Sequence, residues 1–323
     1  MIKCNLTSKH VSKIMSSIIK SSLSDFQINH ITTKEFLTDS SIVFIKEITK
    51  ELSERINERY DVLVITEIPQ FEVKNYIQVK NTRLEMARLL EVVNNKHRLY
   101  NCNNACISSE SKIDRTVVIE PFVYIDSNVT IGENTIIKSG TKILAGTIIG
   151  KNTIIRENSV IGGQGFGVEK DEEGNNFKIP HLGGVIIGDH VEIGALNTIV
   201  SGTINATVIN DFTKIDDHVH IAHNCKIGRN CIITAGTIFS GSVVLGDNSW
   251  TGPNSSIKNS VIVARNTLIG IGTVVTKNIL SEGLTYAGSP AKEFTQYLEE
   301  KKKYEFFLSS YEKFKKLISE EEK

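Results

Sequence analysis

The hydrophobic positions in the middle of this chain recur every six residues. Counting from Ile113 gives Ile113, Ile119, Ile125, Ile131, Ile137, Ile143, Ile149, Ile155 and Ile161, all nine of them isoleucine. An amphipathic helix repeats near 3.6 residues and a half-buried strand near two, so neither produces a strict six. A fixed hexad is the pattern of a parallel β-helix. Each hexad supplies a short strand and a corner, and three hexads close a triangular coil of about 18 residues. The repeated isoleucine points inward. Gly or Asn follows at many corners, as in Ile131-Gly132 and Ile227-Gly228, where backbone tolerance is needed. Positions three hexads apart should therefore stack about 4.8 Å apart, the spacing between paired strands.

The phase breaks twice. Residues 163–184 are Gly-rich and charged, which predicts a loop ejected from the solenoid. The hexad resumes at Ile187, Ile193 and Ile199, then slips around Ser201 to Ala206. It continues from Ile209 through Ile215, Ile221, Ile227, Ile233, Phe239, Leu245, Thr251, Ile257, Val263 and Ile269 to Val275, with Thr251 the one residue in that series that is not apolar.

The flanks follow other rules. Residues 1–100 read as a small α/β domain, with strands at Ser41–Ile45, Val62–Ile65 and Tyr76–Val79 and a helix at Thr82–Val93. In the segment from Met1 to Leu23 a short amphipathic helix is expected to start near Thr7 or Ser8. Polar residues around 101–112 read as a linker, 113–290 as the β-helix, and 291–323 as one or two C-terminal helices. In that tail Phe294, Leu298, Phe307, Tyr311, Phe314 and Ile318 fall roughly on one face.

Charge adds exclusions. The 37 basic residues balance 37 acidic ones, which argues against a nucleic-acid surface or a polybasic membrane anchor. No apolar run approaches the length of a membrane span, and the N-terminus lacks the apolar core of a signal peptide. The five cysteines are odd in number and irregularly spaced, which fits a reducing cytoplasm. Cys102 and Cys106 lack the second pair that a zinc site needs, so no metal is expected.

Candidate chemistry concentrates in Asp216-Asp217-His218-Val219-His220-Ile221-Ala222-His223-Asn224. Ile221 is the inward residue, so His223 should sit near a corner, within reach of the outside. A neutral imidazole there suits general-base work near pH 7. Asp216 is expected either to hold its tautomer, as carboxylates do in relays, or merely to cap a corner. Gly241 follows His223 by three hexads, so it should lie one coil away and offer its N–H to an oxyanion. In the ejected loop, Gln164, Phe166, Gly167, Lys178 and His181 are candidate substrate contacts, because a loop thrown off a rigid scaffold commonly carries them.

These residues resemble a known family. The stretches Gly165-Phe166-Gly167, Lys178-Ile179-Pro180, Val185-Ile186-Ile187-Gly188-Asp189, Val191-Glu192-Ile193-Gly194-Ala195 and Ile221-Ala222-His223-Asn224 are similar to UDP-3-O-acylglucosamine N-acyltransferase. Phe44 and Val79-Lys80-Asn81-Thr82-Arg83-Leu84 resemble that family's nucleotide-binding domain. The resemblance implies a left-handed helix, a homotrimer and active sites between neighbouring subunits. It implies that His223 is the general base supported by Asp216, that Gly241 donates to the oxyanion, and that Phe44 and Asn224 contact substrate. The chain departs from the family at Ser260, Val200-Ser201-Gly202, Glu47, Lys50 and Gln164. Toward the C-terminus, the segments holding Gly270 and Gly288 resemble hexapeptide-repeat acetyltransferases that use coenzyme A. Gly241, Asn259, Gly270 and Gly288 are therefore the candidate donor contacts.

The reading that follows is a mainly β protein: a left-handed parallel β-helix with a small N-terminal α/β domain and a helical tail. The expected activity moves an acyl group from a thioester to the amine of a nucleotide-linked amino sugar. Acyl-CoA is favoured over acyl-carrier protein as co-substrate, with no tightly bound cofactor. Three alternatives stand beside it: the lipid A pathway enzyme using acyl-carrier protein, an inactive trimeric scaffold, and a zinc hydratase of the carbonic-anhydrase type. The last would use His218 and His223 with His181 as third ligand.

Overall fold

A computed structural model describes residues 2–69, 73–94 and 104–321 of the chain. It divides into two compact units, Met1–Arg98 and Leu99–Lys323.

In the first unit, β1 (Ile2–Thr7), α1 (Ser8–Ile14), β2 (Ile18–Ser22), β3 (Gln27–Thr32), β4 (Ser41–Glu47), α2 (Lys50–Asn57), β5 (Val62–Ile68), β6 (Tyr76–Val79) and α3 (Thr82–Asn94) follow in order. The sheet order is β1-β3-β4-β5-β6-β2. Its four central strands are parallel, and the two edge strands run antiparallel to their neighbours. Both faces are covered, which explains the unbroken apolar run of β4. Ile42, paired with Leu63, joins Val11 of α1 and Leu89 of α3 in one core. Val43, paired with Val64, joins Leu52 and Ile56 of α2 in the other. The helix expected near Thr7 is present, with the Thr7 side chain capping His10 N–H. It is flanked by β1 and β2, which the purely helical reading of the N-terminal segment did not anticipate.

The second unit is a β-solenoid of three parallel sheets, the left-handed β-helix expected from the hexad. Its inward column is continuous: Ile221 pairs with Phe239, Phe239 with Ile257 and Ile257 with Val275. Each of these is at most 1% exposed, so the repeat is a core and not a surface stripe. A second buried column lies two residues before the first and is filled by Thr, Ser, Val and Cys. Thr135 Oγ1 donates to Gly150 O at 2.8 Å, Ser159 Oγ to Gly194 O at 2.8 Å and Thr213 Oγ1 to Gly228 O at 2.8 Å. These hydroxyls satisfy corner carbonyls of the coil above, so a buried polar position costs little. Cys225 and Cys231 occupy the same column, and their thiols point at Ser240 O and Gly246 O. At the corners the left-handed conformation falls to Asn more often than to any other residue, as at Asn134, Asn152 and Asn224. The glycines after the inward residue serve close approach instead: a Cβ on Gly132 would stand 2.9 Å from the Gly150 carbonyl carbon.

Both phase breaks are real excursions. Thr147 pairs with Val185, so the coil between them carries an insertion longer than an ordinary coil. The inserted residues form a hairpin, with Val168–Lys170 antiparallel to Asn176–Lys178, and not an irregular loop. Thr198 pairs with His220, so this coil also exceeds three hexads, and residues 201–206 bulge to take up the excess.

Three expected boundaries move. The solenoid begins before residue 113, because Cys106–Ile107 already pairs with Tyr124–Ile125. Residues 101–103 of the expected linker, with Cys102, lie outside the described residues. At the other end, Lys292–Glu293 still pairs with Tyr286–Ala287, and the tail is one helix, α4 (Phe294–Glu321). Phe294, Leu298, Phe307 and Tyr311 are all exposed on α4, and the side chains of Phe314 and Ile318 lie outside the described residues.

Candidate active site

His223 leaves the solenoid at the corner that follows the strand His220–Ile221. One coil later, at the equivalent corner, Gly241 lies directly against its ring. A Cβ on Gly241 would stand 2.5 Å from Cε1 and 2.7 Å from Nε2 of His223. The neighbouring backbone groups are spent on the stack: Ser242 N–H donates to His223 O at 2.8 Å, and Ser260 N–H to Gly241 O at 2.9 Å. The Gly241 N–H donates to no acceptor among the described residues. With no side chain over it, that N–H is open to a ligand beside the imidazole. Asn259 sits exposed one coil further along the same column.

The other wall comes from the insertion. His181 is 2% exposed, and its ring centroid lies 4.9 Å from that of His223, tilted by 58°. Gly165 and Gly167 arch over it: a Cβ on Gly165 would stand 2.5 Å from His181 Nε2, and one on Gly167 3.1 Å from Cε1. Any larger residue at Gly165 would displace the imidazole. Gln164 clamps the His181 backbone from both sides, donating to its carbonyl and accepting from its N–H, each at 3.0 Å. His181 Nδ1 meets Ile179 O at 2.8 Å.

Electrostatics favour a neutral base. Burial holds the His223 imidazole below the usual histidine range, and neighbouring His181 pushes it further the same way. Its Nδ1 is buried without a partner, whereas Nε2 stays open and makes no hydrogen bond among the described residues. Burial also lowers His220, which spends Nδ1 on Thr198 Oγ1 at 2.6 Å.

Several expected roles change. Asp216 does not reach His223. It follows Lys214–Ile215 of a different sheet, so the stretch between them carries it to another corner, where it is exposed and accepts from Asp217 N–H at 2.8 Å. The same-chain relay is therefore replaced by the corner-capping role. His218 shares that other corner, so it does not converge with His223 as the zinc reading requires, and no group of three candidate ligands lies together among the described residues. Gln164 and Asn224 spend their side-chain amides on this chain's own backbone, although Gln164 is also exposed. Asn224 clamps the 201–206 bulge, accepting from Thr203 N–H at 2.7 Å and donating to its hydroxyl at 3.2 Å. Gly270 is off the Gly241 column, and its N–H is consumed by Tyr286 O at 2.8 Å. Gly288 lies at the end of the solenoid against Tyr297 of α4. Phe166 is 90% exposed between the two arching glycines, and Lys178 is exposed at the hairpin's end. In the first unit Phe44 lines a cavity of about 430 Å³ with Lys34, Lys46, Met86 and Leu90.

Fold and repeat together define a left-handed β-helix built from hexapeptide repeats. The family described as "Bacterial transferase hexapeptide (six repeats)" matches residues 110–145, 128–163 and 206–241. The chain is also similar to UDP-3-O-acylglucosamine N-acyltransferases. It is 39% identical over 137 residues to the one from Campylobacter concisus, covering 42% of this chain and 43% of the relative. It is 33% identical over 131 residues to the probable UDP-3-O-acylglucosamine N-acyltransferase 2, mitochondrial, of Arabidopsis thaliana, covering 41% and 43%. The chain thus spans less than half the length of these curated relatives. Among solved structures, the UDP-N-acetylglucosamine acyltransferase from Campylobacter jejuni superposes with a TM-score of 0.54 at 28% identity, covering 59% of this chain and 73% of that one.

Proposed function

We propose that this chain is a thioester-dependent N-acyltransferase whose acceptor is the amine of a nucleotide-linked amino sugar. The observation that carries the reading is the pairing of an open, neutral imidazole nitrogen on His223 with the unused N–H of Gly241, on adjacent coils. His223 Nε2 takes a proton from the attacking amine as nitrogen bonds to the thioester carbonyl carbon. The carbonyl oxygen becomes an oxyanion, which the Gly241 N–H stabilises. The C–S bond then breaks, the imidazolium returns its proton to the leaving thiolate, and amide and thiol are released. The curated relatives' names support an acylated nucleotide sugar as the acceptor class. Phe44, lining its cavity in the first unit, is the proposed contact for the nucleotide base. Acyl-CoA is the proposed donor, with acyl-carrier protein as the second candidate, and a homotrimer in the cytoplasm is the proposed working form.

The test is acyl transfer by purified protein, with acyl-CoA and acyl-carrier protein each offered against UDP-linked sugars bearing a free amine or only hydroxyls. His223→Ala is expected to lose about 10²–10⁴-fold in kcat with its melting temperature intact. Full activity in that variant would sink the assignment of the base.

A further inference from the structure

Among the described residues of the chain, no side chain orients the His223 imidazole as a carboxylate does in a relay. To present a bare Nε2 it must carry its proton on Nδ1, and that nitrogen is buried with no acceptor among the described residues. The expected acceptor, Asp216, is at another corner. A second buried nitrogen without a partner lies on the neighbouring ring: Nε2 of His181. The two atoms are chemically complementary. His181 Nδ1 faces a carbonyl oxygen, Ile179 O at 2.8 Å, and a carbonyl only accepts. Nδ1 of His181 is therefore the protonated nitrogen, and its Nε2 is a bare acceptor. The rings are 4.9 Å apart between centroids. The donor and the acceptor thus belong to adjacent rings, tilted by 58° to one another.

We propose that His181 is the positioning residue for His223, accepting the His223 Nδ1 proton on its Nε2 in the place a carboxylate holds in other relays. The chain of bonds runs from Ile179 O through His181 to His223, leaving His223 Nε2 facing the substrate. The surroundings of His181 fit this role. Gln164 grips its backbone at two points, and the missing side chains at Gly165 and Gly167 leave the room that the imidazole fills. Two orphaned nitrogens become one satisfied pair, which removes a cost that isolated buried polar atoms carry. The inference rests on the base assignment above for its purpose, but the hydrogen bond itself does not depend on which substrate is used.

The experiment reads tautomers directly. Full-length protein carrying ¹⁵N-imidazole histidine is studied near pH 8 by long-range ¹H–¹⁵N correlation, with the His223 signals assigned by His223→Gln. The wild type is expected to show His223 protonated on Nδ1. In His181→Leu the signal should move to the Nε2-protonated form that free imidazole side chains favour. In His181→Gln, whose amide oxygen can accept the same proton, it should stay on Nδ1. The remaining histidines and the melting temperature report folding, and His181→Gln carries the comparison if the leucine variant does not fold. Nε2 protonation of His223 in the wild type, or Nδ1 protonation that survives His181→Leu, overturns the proposal. A missing acyl-transfer activity with the tautomer pattern as expected would overturn the proposed reaction and leave the pair standing. With activity in hand, His181→Leu should lower kcat by about 10²-fold or more with KM little changed, and His181→Gln should restore most of it.

Discussion

Gly241 and His223 are three hexads apart in sequence and less than a side chain apart in space: a Cβ at position 241 would stand 2.5 Å from the imidazole. The coil length alone puts them in register, because the strands before them, His220–Ile221 and Ile238–Phe239, are directly paired. Gly241→Ala keeps the N–H but forces the ring aside. Misplacing a reacting group by about an ångström costs up to about 10²-fold in rate. The expected result is a kcat loss of tenfold or more with a melting temperature within a few degrees of wild type, since His223 stands at a corner, only partly buried, and can swing away. Unchanged turnover in Gly241→Ala would mean that the ring and this backbone do not act together.

The cysteines give a second test. Cys225 and Cys231 are buried, and burial pushes both thiols up to about 11. At pH 8 the thiolate fraction of such a group is on the order of 10⁻³, so neither serves as a nucleophile. Thiol titration of native protein is expected to leave both unreacted while exposed Cys106 reacts, and both should appear once denaturant is added. Rapid labelling of Cys225 in the folded chain would show that the solenoid opens locally at the coil carrying His223.

What the sequence disclosed depended on periodicity. Nine isoleucines at a strict six were enough for the coil, the inward column and the stacking of Gly241 on His223. The second buried column stayed hidden because Thr135, Ser159, Val219 and Cys225 share size rather than polarity, and a hydrophobic pattern does not register size. In the first unit, β2 was missed because Ile18–Ser22 is exposed along its length and mixes apolar with polar residues. The α2 segment was missed because it is short and buries Leu52, Ser53 and Ile56 alone. The same-chain Asp216 relay is not formed for a geometric reason: Asp216's separation from His223 exceeds one hexad, so the two side chains leave different corners. His181 was visible only as a loop residue, because its place beside His223 is set by the return path of a long insertion that interrupts the period.

Phe239 tests whether the inward column sets stability at the site. It is fully buried and lies between Ile221 and Ile257 in the ladder. Phe239→Ala removes a large side chain from a stack that relaxes poorly, with an expected cost of about 3–5 kcal/mol. Urea denaturation should show a lowered midpoint with the slope little changed. A cost below about 1 kcal/mol would mean that the coils collapse around the gap, and that the corner carrying Gly241 is less rigid than the ladder indicates.

The pH dependence follows from the depressed basicity of His223. In the unfolded chain its pKa returns to about 6.5. In the folded chain burial and His181 hold it lower. Above both values neither state binds the proton, and the contribution of this group to stability is fully present. As pH falls through about 6.5 the unfolded chain takes up the proton first, so stability is lost progressively until the folded pKa is passed. For catalysis the same depression keeps the base neutral into mildly acidic solution. The acid limb of kcat/KM, which reports the free enzyme, is expected to have its midpoint below about 6.5. Replacing His181 by Gln removes the neighbouring ionisable ring that holds His223 down and should move that midpoint upward, toward but not beyond the unperturbed value. A wild-type midpoint at or above about 6.5, or one that does not respond to His181→Gln, would show that a group other than His223 controls the reaction.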